Sequence, residues 1–255
     1  MGNNKNITLF VNDSFFAYCS AKSIIEENSQ NISLIVFSNS KSKKKQIFNI
    51  FKKVSLKYFI YRGFIHFLTK FFFKKKTIKY LAEKYKIKSI NVSNKQQLKN
   101  ILENSYIGFA FNFDLILTKE ILNKFTKGVF NIHASKLPKD RGISPALWAY
   151  ARGDKEIWST IYQMDNGIDT GNIYKQFYLS INKNETFFLI YKKISLLSGS
   201  VLNSVYNDVL KDKIILKPQN KNLKSTYLGW PDQKFNFMIK NSNARLFSVN
   251  NLFNF

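Results

Sequence analysis

Short apolar runs alternate along this chain with longer segments whose apolar positions recur every three or four residues. The runs Ile7–Val11, Ser33–Phe37, Ile87–Val92, Ile107–Phe111, Gly128–His133, Ser159–Met164 and Ile173–Leu179 have the length and the β-branched or aromatic content of strands. Between the early ones, Phe15–Glu27, Lys43–Glu83 (in one or two pieces, broken near Gly63) and Lys95–Asn104 are compatible with helices. This alternation predicts an α/β chain built on an open, mainly parallel sheet of about seven strands with helices on both faces.

After the last strand, Asn184-Glu185-Thr186 leads into Phe187–Leu210, where Leu189, Lys193, Leu196, Leu197, Ser200, Val201 and Ser204 alternate faces as in a surface helix. From Pro218 the chain reads as an irregular, Asn-rich tail. The expected division is a main domain over residues 1–215 and a short extension over residues 216–255, with Tyr227, Trp230, Phe235 and Phe237 packing on the core.

Composition narrows the classes. With 255 residues and 45% hydrophobic content the chain can bury a sizeable core. The first apolar run is too short for a signal segment and no apolar run reaches membrane-spanning length, so a cytoplasmic protein is expected. One cysteine, Cys19, excludes an internal disulfide framework and a multi-cysteine zinc site, and no metal is expected. The turn after the first strand, Asn12-Asp13-Ser14-Phe15-Phe16, has no glycine, which disfavours a dinucleotide or a P-loop phosphate cradle.

The formal charge is +24, and it is unevenly spread. No acidic residue lies between Glu27 and Glu83, whereas thirteen Lys and Arg lie between Lys41 and Lys79, interleaved with Phe48, Phe51, Tyr58, Phe59, Tyr61, Phe64, Phe67, Phe71, Phe72 and Phe73. Three readings stand side by side: a solvated face over a core-facing one, a surface drawn to anionic lipid, or a platform for an anionic ligand or nucleic acid.

Candidate chemistry lies further on. In Val129-Phe130-Asn131-Ile132-His133 the side chains of Asn131 and His133, two apart, share a strand face and stand at its carboxyl end, where open parallel sheets bind ligands. The loop Met164-Asp165-Asn166-Gly167-Ile168-Asp169-Thr170-Gly171 follows another strand and can bring Asp169 toward His133. An amide, an imidazole and a carboxylate suit acyl transfer between nitrogens: the first two steady an oxyanion while the acid orients the imidazole or relays protons. On spacing alone, a hydrogen-bonded structural histidine and an ordinary Asn-Gly turn account for the same residues. His66, the other histidine, lies in the basic stretch.

The segment Asn131-Ile132-His133-Ala134-Ser135-Lys136-Leu137-Pro138, followed by Arg141-Gly142-Ile143-Ser144-Pro145-Ala146-Leu147-Trp148-Ala149, resembles the signature of folate-dependent formyltransferases. Thr160-Ile161-Tyr162-Gln163-Met164-Asp165 through Gly167-Ile168-Asp169-Thr170-Gly171 is similar to the family's second block. The resemblance covers roughly Ile107 to Gln176 in the right order. It implies a Rossmann-like formyltransferase fold with residues 1–215 as the catalytic domain, and 10-formyltetrahydrofolate as formyl donor. It also implies an Asn131, His133, Asp169 triad.

By the same resemblance, Phe113, Asp114, Leu115, Ile116 and Leu117, with Asp165, line the folate cleft. The loop from Lys139 through Arg141, Gly142 and Ser144 to Trp148 faces the acceptor, with Arg141 either holding a phosphate or bracing the loop. Trp158 and Asn172 depart from the family pattern on the acceptor side.

The family's methionyl-tRNA members carry a further C-terminal barrel domain that the residues beyond Leu216 are too few to supply, and its glycinamide ribonucleotide members resemble this chain less between Arg141 and Trp148. The expected acceptor is therefore a small amine, an amino-sugar in nucleotide-linked form used for cell-surface polysaccharide, and nucleic acid is not expected. A glycinamide ribonucleotide or methionyl-tRNA enzyme is the alternative within the family. Outside it stands an inactive relative bound to a membrane surface or nucleic acid. The oligomeric state is left open, with a homodimer as one expectation.

Overall fold

A computed structural model describes residues 5–38, 54–242 and 244–252. The strands are β1 (Ile7–Val11), β2 (Ile32–Ser38), β3 (Ser89–Val92), β4 (Ile107–Phe111), β5 (Val129–His133), β6 (Arg141–Gly142), β7 (Glu156–Gln163), β8 (Ile173–Ser180) and β9 (Tyr227–Leu228). Seven of them form one sheet in the order β3-β2-β1-β4-β5-β7-β8, and β6 pairs with β9 in a second, two-stranded sheet.

From β3 to β5 every neighbour is parallel, while β7 runs antiparallel to β5 and β8 antiparallel to β7. The expected mainly parallel sheet of seven strands is therefore the sheet observed. The chain leaves β1 toward β2 and β3 on one side and returns to β4 and β5 on the other. Open parallel sheets bind ligands at such a reversal of order, outside the strands' carboxyl ends.

The helices are α1 (Phe15–Asn28), α2 (Leu56–Phe71), α3 (Ile78–Lys84), α4 (Lys95–Ile101), α5 (Lys119–Leu122), α6 (Pro145–Arg152), α7 (Phe187–Leu210) and α8 (Gln233–Asn241). Period-two alternation in β1 divides the core. Ile7, Leu9 and Val11 join a cluster with Ile24 of α1, Leu81 of α3 and Leu202 of α7, while Phe10 joins Leu98 of α4 and Ile121 of α5. Strands sandwiched in this way are buried throughout, as β1 and β4 are. A third cluster joins α1, α2, α6, α7 and α8 through Phe15, Tyr61, Trp148, Phe188 and Phe235.

Several boundaries differ from the sequence expectation. Gly63 does not break a helix: α2 runs through it, and the interruption comes at residues 72–77, before Thr77 caps α3. The start of the Lys43–Glu83 stretch, through residue 53, lies outside the described residues. Residues 145–148, expected within the loop from Lys139 to Trp148, open α6, with Pro145 at its first turn and left-handed Gly153 as its C-cap.

The tail is not wholly irregular, because Asp232 caps α8 through Lys234 N–H. Of its four aromatic residues expected on the core, Phe235 is buried, whereas Tyr227, Trp230 and Phe237 are exposed. Helix α7 is also more than a surface helix: Ile190, Ile194, Val201, Leu202, Val205 and Val209 are buried, and a Cβ on Gly199 would stand 2.5 Å from the Ser20 carbonyl oxygen of α1.

Candidate active site

Strand β5 delivers Asn131 and His133 on one face at the end of the sheet, and the antiparallel pairing with β7 sets Asn131 opposite Tyr162. The Asn131 Nδ2–H donates to Tyr162 Oη at 2.9 Å, and that hydroxyl donates to Asp169 Oδ1 at 2.9 Å. His133 Nδ1 lies 3.5 Å from the same carboxylate oxygen. The loop after β7 thus brings Asp169 across to His133, and a buried phenol links the acid to Asn131.

His133 and Asp169 are both buried. The imidazole Nε2 is 2.8 Å from the Asp140 carbonyl oxygen, and since a carbonyl only accepts, Nε2 carries a hydrogen. Nδ1, beyond hydrogen-bond distance from Asp169, is the less committed nitrogen. The other Asp169 oxygen accepts the Gly142 N–H at 2.8 Å. Burial, then the adjacent Asp169 carboxylate, push the Tyr162 phenol well above its ordinary range, so it remains a donor.

One short segment therefore holds both partners: the Asp140 carbonyl fixes the imidazole and the Gly142 N–H fixes the acid. The segment is itself secured from three directions. The Asp140 carboxylate meets Arg152 of α6 at 2.6 Å, and Thr226 Oγ1 donates to it at 3.1 Å while accepting the Asp140 N–H at 2.8 Å. Gly142 has φ +96° and a Cβ there would lie 2.4 Å from the Leu228 carbonyl oxygen, so only glycine admits the β6–β9 pairing at this point. Asp140, Ser144 and Asp169 also have left-handed backbones, a concentration of sparsely populated conformations around one site.

Other residues singled out in the sequence are distributed as follows. Arg141 donates to Gln219 Oε1 at 2.7 Å, and Gln219 donates in turn to the Asp169 and Gly171 carbonyls, so Arg141 braces the loop; its buried Nε has no partner among the described residues. Lys139 is exposed, and Ser144 precedes α6. Trp148, expected to face the acceptor, is buried against Phe235, ring centroids 5.9 Å apart, with its indole N–H on the Gly229 carbonyl.

On the folate side, Leu117 is a core residue, Phe113 and Leu115 pack partly against the same cluster, and Ile116 is exposed. The Asp114 carboxylate accepts from Ser38 at 2.9 Å. Asp165 Oδ1 accepts from Thr170 Oγ1 at 2.5 Å and from the Gly167 N–H at 3.1 Å, which shapes the turn carrying Asp169. Ile168 in that turn is exposed. The departing Trp158 is covered by Lys136, whose Nζ lies 4.0 Å above the ring.

Sequence reasoning missed Tyr162, Asp140, Arg152, Gln219 and Thr226. Tyr162 is legible once β5 and β7 are paired in register. The others act through backbone groups or from distant segments, and no local spacing marks them.

A family model described as formyl transferase matches residues 16–206. The bifunctional polymyxin resistance protein ArnA of Wigglesworthia glossinidia brevipalpis is 35% identical over 152 residues, covering 58% of this chain and 23% of that protein. A methionyl-tRNA formyltransferase of Wolbachia pipientis is 33% identical over 153 residues, covering 57% of this chain and 50% of that protein. The chain thus spans half or less of the length of these curated relatives. An N-formyltransferase from Helicobacter canadensis, solved with folinic acid and dTDP-3-aminofucose, shares the fold with a TM-score of 0.58 at 22% identity, covering 88% of this chain and 70% of that one. The family match takes in every strand from β2 to β8 and both loops that meet at His133, and this chain belongs to the formyl transferase family.

Proposed function

We propose that the protein moves a formyl group from 10-formyltetrahydrofolate to the primary amine of a small acceptor, a nucleotide-linked amino-sugar, with Asn131, His133 and Asp169 as the catalytic residues. The observation that carries this reading is the hydrogen-bonded link Asn131–Tyr162–Asp169, with His133 Nδ1 3.5 Å from the same carboxylate, at the carboxyl end of β5 in a chain of this family.

The donor fits the residues present. Ile116 and Ile168 leave large apolar side chains in solvent on the loops after β4 and β7, suited to the faces of a flat heteroaromatic ring, and the backbone of residues 113–117 and Asp165 can read its polar edge. When bound, the folate supplies an electrophilic formyl carbon, and its N10 takes up the leaving electron pair. Asn131 keeps a second amide hydrogen beyond the one given to Tyr162, and it points that donor's dipole at a substrate oxygen that gains negative charge. His133 adds a second donor to that oxygen through Nδ1–H when both ring nitrogens carry a hydrogen. Asp169 orients the imidazole and takes the proton that the amine sheds, directly or through water.

On the acceptor side, Arg141 and Lys139 provide positive charge for a phosphate or diphosphate. A nucleotide-linked amino-sugar is favoured because the Helicobacter protein of the same fold was solved with such a ligand. The second reading, methionyl-tRNA, draws on the Wolbachia relative.

Incubation of the full chain with the folate donor and, separately, dTDP- and UDP-linked amino-sugars, glycinamide ribonucleotide and methionyl-tRNA separates the readings by mass analysis. A gain of one carbonyl unit on an amino-sugar alone is expected. Formylation of methionyl-tRNA or glycinamide ribonucleotide instead would replace the acceptor, and folate binding without formylation of any amine would point to one outside the panel.

A further inference from the structure

Helix α2 is apolar on two opposite sides. Tyr58, Tyr61, Ile65 and Leu68 face the core and are buried against α6, α7 and α8. At 3.6 residues per turn, Leu56, Ile60, Phe67 and Phe71 fall within about 60° of one another on the far side. These four and Phe72, just past the helix, are 47–64% exposed. The aromatic ones gather in solvent: Phe67 and Phe71 have ring centroids 4.8 Å apart, Phe67 and Phe72 6.1 Å apart, and the Lys70 ammonium lies 5.5 Å from the Phe71 ring. Scattered apolar side chains on a surface are ordinary, but an ordered stripe of five large ones opposite the core is the mark of an interaction site.

The charge around the stripe identifies its partner. Lys57 and Lys70 flank it, Arg62 lies further round the helix, and exposed Lys74 and Lys75 follow it. No carboxylate occurs in the sequence from residue 28 to residue 82 to neutralise them. A stripe of Leu, Ile and Phe bordered by cations matches the boundary between acyl chains and anionic headgroups, where apolar side chains enter and lysines stay at the phosphate level. No helix among the described residues is long and apolar enough to cross a membrane, so the contact lies in the surface plane.

Two other partners fit less well. A second copy meeting across the same face would set the cations of one α2 against those of the other. Leu56 and Ile60, the N-terminal half of the stripe, offer no ring on which a nucleic-acid base could stack.

We propose that the outer face of α2 docks this protein on an anionic membrane surface. The docking is independent of the formyl-transfer reading, but the two faces of α2 connect it to that site. Tyr58 meets Phe235 at 6.4 Å between ring centroids, and Phe235 meets Trp148 of α6, the helix that follows the acceptor-side loop. A membrane-docked α2 therefore holds the acceptor side of the molecule at a fixed distance from the lipid.

The test is co-sedimentation of the full chain with vesicles of phosphatidylcholine alone or mixed with phosphatidylglycerol, at low and high salt, beside Phe67→Ser/Phe71→Ser and Lys57→Gln/Lys70→Gln. The protein should sediment with the mixed vesicles only, and less at high salt. The double Phe variant should lower partitioning by at least about tenfold, and each lysine replaced by about fivefold. All these positions are exposed, so the thermal melts should match wild type; if the Phe variant misfolds, the Lys variant decides.

No sedimentation at low salt overturns the proposal. So does binding that neither variant weakens, a dimer that the Phe variant converts to monomer with no vesicle binding, or binding to tRNA in its place.

Discussion

Replacing Tyr162 by Phe removes one oxygen from the centre of the site and leaves its shape intact. That hydroxyl accepts from Asn131 and donates to Asp169, so its loss leaves a half-buried amide hydrogen and a buried carboxylate oxygen each short of a partner. Hydrogen bonds to charged groups contribute about 1.5–3 kcal/mol, and the unpaired carboxylate is the larger part here because among the described residues Asp169 retains only Gly142 as a close donor. If that energy orients Asn131 and Asp169 in the transition state, kcat/KM falls by about 10- to 100-fold, at roughly 1.4 kcal/mol per decade. The assay is initial rate of tetrahydrofolate formation against acceptor concentration, with thermal melts in parallel to separate activity from stability. Because burial and Asp169 keep the phenol protonated, the alkaline limb of the pH–rate profile should be unchanged in the variant. A kcat/KM within twofold of wild type would refute the idea that Tyr162 joins the two halves of the site.

Other expectations follow from the scaffold. Arg152→Met leaves the Asp140 carboxylate with Thr226 as its one side-chain partner among the described residues and should cost about 2 kcal/mol, between a surface and a fully buried pair, read as a lower urea midpoint with unchanged slope; Asp140→Asn in the same chain should restore part of it. Gly199→Ala forces α1 and α7 apart at the Ser20 carbonyl and should lower stability by about 1–3 kcal/mol, seen as a reduced Tm. Stability should also fall in alkali. Burial pushes the Cys19 thiol and the Tyr191 phenol up to about 12, Tyr174 reaches about 12 through burial and its bond to Asp208, and Tyr61 is raised as well. Above pH 9–10 the unfolded chain sheds protons that the native state keeps, so each such group favours unfolding until the pH passes its native value; melts that stay level from pH 8.5 to 11 would contradict this.

The sheet was legible because its strands are short apolar runs separated by helical periods, and β1 and β4 match the sequence pattern residue for residue. A strand's period of two and a turn near a second strand put Asn131, His133 and Asp169 within reach of one another but left an ordinary structural role equally open; the family resemblance singled them out, and the structure brings the three together. What sequence did not reveal depends on contacts between distant segments. The Asp140–Arg152–Thr226 cluster spans 86 residues between its ends, and the Asp140 carbonyl that holds His133 carries no side-chain signature. Trp148 looked like a loop residue facing a ligand because the Ser144-Pro145 start of α6 was read as loop; once the helix forms, its apolar face turns Trp148 inward. Phe235 and Phe237 are alike in sequence, and only the phase of α8 decides that one is buried and the other exposed.

The central claim is that formyl transfer depends on the imidazole and carboxylate joined at the end of β5. The most direct measurement is the rate of tetrahydrofolate formation from 10-formyltetrahydrofolate with a formylated acceptor identified, for wild type, His133→Ala and Asp169→Ala. Loss of proton transfer and of the oxyanion contact should each lower kcat by about 10²- to 10⁴-fold while folate binding persists. Variants that turn over within a few-fold of wild type would contradict the account.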